Sequence, residues 1–155
     1  MIRPSVGLVM AVGLWAASPA PVAAAGNAEL ERGQRLFVGI EPMRGTISGH
    51  QSVLPPLASR CVNCHAPGSG TGKARPASAP PTNTSFAPLL TPAYLTGPVA
   101  RRGGPPSRYD EAAFCRALRT GIDPAYVIVS HSMPRYELSE AECRAIWRHL
   151  TEAGR

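Results

Sequence analysis

Arg60-Cys61-Val62-Asn63-Cys64-His65 is the stretch on which the reading of this chain turns. Two thiols stand two residues apart on a short helical turn, and an imidazole follows at once. Several chemistries use such a pair. Thiol–disulfide exchange of the thioredoxin kind needs a β-α-β setting, and no such pattern is visible here. A zinc site needs a second ligand pair at metal spacing, whereas the remaining cysteines, Cys115 and Cys143, are far apart on apolar helix faces. A plain Cys61–Cys64 disulfide leaves His65 without a purpose. C-x-x-C-H is the spacing of covalent haem attachment. The two thiols add to the two vinyl groups on one porphyrin edge, and the histidine projects its ring toward the iron as proximal ligand.

Upstream, the chain begins like an exported protein. Met1-Ile2-Arg3 carries one positive charge, an apolar run follows from Val6 to Ala17, and Ser18-Pro19-Ala20-Pro21 breaks it. Ala23-Ala24-Ala25 supplies small residues of the A-x-A kind, so residues 1–25 are expected to be a signal peptide cut after Ala25. The run is shorter than the roughly 20 residues that span a bilayer, and membrane association is expected only if that segment is retained. The expected location is the periplasm. Export and haem attachment agree, because the thioether bonds are made outside the cytoplasm.

Residues 26–155 then form one expected domain. Its charge falls by one from the whole chain's +6, because Arg3 leaves with the leader. The cations are scattered, with Arg101-Arg102 the only adjacent pair of the mature part. Without a continuous basic stripe, nucleic-acid binding is excluded as a function class. A basic face is still suited to steering the chain toward an acidic partner.

Residues 27–38 read as a helix, from Leu30, Gly33 and Phe37 on one side and charges around them. Residues 39–58 are irregular and rich in glycine and proline. So is the long stretch 66–108, which holds at most a short turn around Ala87–Leu95. Helices are expected again at 109–120, stopped by Gly121, and at about 140–152, opened by a Ser139/Glu142 capping box. Only Tyr126–Val129 hints at strand alternation. The sixth iron position has candidates in Met43, His50, His131, Met133 and His149. Met133, in a loop stiffened by Pro134, is preferred, and a thioether there raises the reduction potential. His131 is its competitor. Arg60, Arg75, Arg101, Arg102 and Arg108 are candidates for pairing with haem propionates.

Taken together, three blocks resemble the class I cytochrome c family: Gly33-Gln34-Arg35-Leu36-Phe37, Cys61–His65, and Met133-Pro134-Arg135-Tyr136 running on to Ile146-Trp147-Arg148-His149-Leu150. The resemblance implies an all-α cytochrome c fold of about four or five helices, with long loops wrapping one haem c. It implies that Gly33 and Phe37 pack on Trp147 and Leu150. It also implies an electron carrier, not an enzyme, working between an exported dehydrogenase and an oxidase or reductase. The alternatives are a haem enzyme or gas sensor with an open sixth site, and a dedicated cytochrome subunit of a dehydrogenase complex. Two features depart from the family: about 20 extra residues between the first helix and the haem motif, and the extra cysteines Cys115 and Cys143. Both cysteines lie on expected buried helix faces, and a disulfide between them is expected.

Overall fold

The computed structural model describes residues 22–50, 52–65 and 87–153. The basic start and apolar core of the expected leader, and residues 66–86 of the long loop, lie outside the described residues. Five helices are present: α1 Val22–Val38, α2 Val62–His65, α3 Pro92–Thr96, α4 Glu111–Thr120 and α5 Glu140–Glu152. The first begins upstream of the expected cleavage point after Ala25. No helix among the described residues is long and apolar enough to cross a membrane.

The expected all-α cytochrome c architecture is corrected by four short strands: β1 Gly45–Thr46, β2 Val99–Ala100, β3 Pro106–Ser107 and β4 Arg135–Tyr136. They form two antiparallel ladders, β1 with β4 and β2 with β3, so the chain mixes helices with small sheets. The physical cause is the proline- and glycine-rich composition of the connections. Extended loop backbone carries amide and carbonyl groups that need partners, and where two such segments run side by side they pair with each other. Residues 126–129 do not form a strand. Ile128 makes one isolated bridge to Ile122.

The framework is the crossing of α1 and α5. A Cβ added at Gly33 would land on the Ala145 carbonyl and 2.7 Å from His149 Cβ, so the two backbones touch there. Phe37 packs on the His149 ring at 5.9 Å, whereas Trp147 faces Phe114 at 5.4 Å. The implied partners of Gly33 are therefore displaced along α5. Ion pairs lace the same crossing: Arg148 and Arg144 both reach Glu29, and Arg32 reaches Glu41 and Glu142.

Each long helix ends on local chemistry. Asp110 accepts the Ala113 amide at the start of α4, and Gly121 closes that helix in the left-handed conformation, φ 75°. Ser139 and Glu142 complete the capping box of α5. Cys115 on α4 and Cys143 on α5 form a disulfide, with Cα atoms 5.7 Å apart and a sequence separation of 28. Replacing both by alanine is expected to lower the unfolding free energy by about 2–4 kcal/mol. Urea denaturation of the two proteins checks this, and equal midpoints would mean that the bridge contributes nothing.

Candidate functional site

The described helices and loops line a partly open cavity of about 320 Å³, within the range of pockets that hold small molecules. Its walls are mainly apolar: Phe37 from α1, Leu90 and Tyr94 around α3, Phe114 and Leu118 from α4, Leu150 from α5. Cys61, Cys64 and His65 open onto it, and so does Met133 from the loop between α4 and α5.

The cysteine turn is built locally. Amides of Cys64 and His65 both bond back to the Cys61 carbonyl, at 3.1 and 2.9 Å, which winds the short helix α2. The Asn63 side chain donates to the Leu57 carbonyl at 2.7 Å and pins the turn to the preceding loop. Cys61 and Cys64 carry free thiols. Burial pushes the Cys61 thiol up to about 12, and burial also raises Cys64. Such thiols are protonated at neutral pH. Disulfide exchange catalysts instead hold their attacking thiol well below its free value, a shift in the opposite direction.

His65 is oriented from across the cavity. Its Nδ1 lies 2.8 Å from the Pro88 carbonyl. A carbonyl only accepts, so Nδ1 carries the proton and Nε2 keeps its lone pair. Burial lowers the pKa of the ring, opposed by the Pro88 bond, and the imidazole is kept neutral. A neutral ring with one nitrogen tied to a carbonyl is the arrangement of a metal-ligating histidine.

Met133 is held by the segment whose purpose the sequence left open. Its amide bonds the Ser130 carbonyl at 3.1 Å, and Arg135 donates to the Met133 carbonyl at 2.6 Å. Immediately after it, β4 pairs with β1 of the 39–58 segment. Tyr136 of β4 donates to the Ser59 carbonyl at 2.8 Å and stands beside the Cys61 thiol. Ser59 in turn donates to the Met43 carbonyl at 3.0 Å. The segment thus links the methionine loop to the cysteine turn, and its Ile47 and Leu54 line the cavity. The other candidates for the sixth position stand apart. His50 and His131 are exposed, Met43 is buried in the core, and none of these, nor His149, lines the cavity.

A planar apolar group with an anionic edge fits the chemistry of these walls. Of the five candidate arginines, Arg60, Arg101 and Arg102 line the cavity, Arg108 does not, and Arg75 lies outside the described residues. Arg60 and Arg101 each have a buried Nε with no hydrogen-bond partner, a donor left for a bound anion. Arg101 is held between the Tyr94 and Tyr109 rings, 4.8 and 4.9 Å from their centroids, and donates to the Tyr94 and Ser107 carbonyls. Neither its selection nor the Pro88 contact has a local sequence signal, because both depend on chain brought from elsewhere. Among the described residues no group of three or more His, Cys, Asp or Glu side chains gathers as a metal site. No family model matches the chain, no curated protein matches it, and no solved structure matches its fold.

Proposed function

We propose that this chain is an exported single-electron carrier of the c-type cytochrome kind, holding one covalently bound haem c through Cys61, Cys64 and His65, with Met133 as the second axial ligand. The observation that carries the reading is the convergence of these four side chains on one apolar cavity, with His65 fixed by Pro88 so that Nε2 is free to ligate. The haem would supply a one-electron iron couple. The chain's own residues do the rest. Cys61 and Cys64 tether the porphyrin edge, and Arg60 and Arg101 supply donors for its carboxylates. Phe37, Leu90, Phe114 and Leu118 exclude water. Arg135 and the β1–β4 ladder hold Met133 in place, so the ligand set changes little between oxidation states. Its working place is the periplasm, between an exported dehydrogenase and an oxidase or reductase.

Visible spectroscopy of the exported protein tests this. A far-red sulfur-to-iron charge-transfer band in the oxidised state, with no carbon monoxide shift in the reduced state, is expected for wild type. Met133→Ala is expected to lose the band and to bind carbon monoxide, with the reduction potential falling by roughly 100 mV or more, since thioether ligation raises it. A rapid carbon monoxide shift in the wild type would replace the carrier by a haem enzyme or gas sensor. A missing band without that shift would move the ligand to His131.

A further inference from the structure

Two neighbouring loops at the cavity rim hold the only non-glycine residues with positive φ among those described: Arg102 at 50° and Tyr126 at 62°. For a bulky side chain this conformation is uncommon and is kept only where the surroundings enforce it. The enforcement is visible. Asp123 is buried; its Oδ1 accepts the Val127 amide at 2.8 Å, its carbonyl accepts the Tyr126 amide at 3.0 Å, and its own amide donates to Val127. Arg116 lies 4.6 Å over the Tyr126 ring and donates to the Asp123 carbonyl. The first loop is locked to the second by Arg102, whose Nε donates to the Ile128 carbonyl at 3.0 Å, and by Gly104, where a Cβ would meet Val127 at 2.9 Å.

The outcome is a rigid tip on which Tyr126 is 76% and Ile128 61% exposed. It is flanked by Arg102 and Arg116, neither of which forms an ion pair among the described residues. The contrast with the α1–α5 face is sharp, because there Arg32, Arg35, Arg144 and Arg148 are all matched with carboxylates. Both loops also line the cavity, through Arg101, Arg102, Asp123 and Val129. An isologous contact with a second copy would set these cations against themselves.

From this geometry we infer that the 101–104 and 121–128 rim is the docking surface for an acidic electron-transfer protein, one that presents carboxylates around a recess receiving Tyr126 and Ile128. The inference rests on the carrier reading above. It assigns partner contact to this rim instead of the Cys61–Cys64 edge, where Leu57 is the exposed apolar residue, 67% exposed. Unpaired cations steer the encounter, and the aromatic tip supplies the buried centre of a small contact.

Stopped-flow oxidation of the reduced holoprotein by a small acidic blue-copper protein tests it. Tyr126→Asn keeps a residue type that tolerates the left-handed conformation while removing the ring, and is combined with Ile128→Thr. This double variant and Arg116→Gln are each expected to lower the second-order rate constant at low salt roughly fivefold to tenfold. Arg116→Gln should also flatten its ionic-strength dependence. The haem spectrum and the rate with a small uncharged oxidant, 1,4-benzoquinone, should stay as in wild type, and Leu57→Ser should change little. Unchanged rates in both rim variants, or slowing by Leu57→Ser alone, would overturn the docking surface. So would rim-dependent binding to vesicles of phosphatidylcholine and phosphatidylglycerol at 3:1 with protein rates unaffected, because the tip would then be a membrane contact. If the wild type itself failed to reduce even hexacyanoferrate, the carrier reading would fall, and the docking surface with it.

Discussion

On the carrier reading, replacing Cys61 and Cys64 together by alanine is expected to remove all covalently held haem from the chain. Acid–acetone extraction of the purified protein reads this directly, since a thioether-bound group stays with the precipitate and a merely ligated one leaves in the solvent. Wild type should keep its colour, each single variant should keep it through one remaining bond, and the double variant should lose it completely. The single variants should also differ from wild type in the alkaline pyridine spectrum, because one vinyl group remains unsaturated. The effect is large for a physical reason. On the carrier reading, a tether would make binding of His65 and Met133 to the iron intramolecular, so both would act at high effective concentration. Colour that survives extraction in the double variant would show that the cysteines are not the attachment points.

Gly33→Val is expected to cost about 3 kcal/mol or more, at the upper end of what overpacking causes. Any Cβ at Gly33 meets the Ala145 carbonyl, and 2.7 Å away the His149 Cβ, and both belong to the buried side of α5. Neither is the end of a flexible side chain that moves aside. The helices would have to separate, exposing Leu36, Ile146 and Leu150 of the shared core. Against a usual total of roughly 5–15 kcal/mol, such a loss leaves much of the chain unfolded at 37 °C. Urea denaturation followed by far-UV circular dichroism measures it, with exposed Ala28→Val as the control for helix propensity, about 0.5 kcal/mol. An unchanged midpoint for Gly33→Val would mean that α1 and α5 do not cross at this residue.

What the sequence made legible was what is written locally. The helices at 111–120 and 140–152 carry their periodicity, their caps and, in the first, their glycine stop within about a dozen residues. The cysteine turn is equally local. The two ladders were not legible, because a two-residue strand is too short to show alternation and its partner lies far away in the chain. Gly45 pairs with Tyr136, and nothing around either residue announces the other. That pairing is what gives the 39–58 segment its purpose, so its role was hidden for the same reason. Met133 and His131 are separated by a single residue, Ser132, and no pattern chooses between them. The choice of side chain lining the cavity depends on how β4 enters its ladder. The helix crossing was legible in kind but not in register, since the glycine shows a close approach without naming the residues it meets.

The burial of Cys61 bears on the order in which the protein is made. On our reading the four cysteines enter an oxidising compartment, where two end as a disulfide and two as thioethers. In the folded chain the Cys61 thiol is buried in the cavity wall and pushed up to about 12, so it is a poor nucleophile there. On the carrier reading, attachment is therefore favoured before the fold closes. During that interval Cys61 and Cys64 compete with Cys115 and Cys143 for oxidation, and any cross-pairing between the two sets is a dead end. On that reading, assembly proceeds from a chain still open at the cysteine turn, and the final folding step closes over whatever chemistry has already been done there.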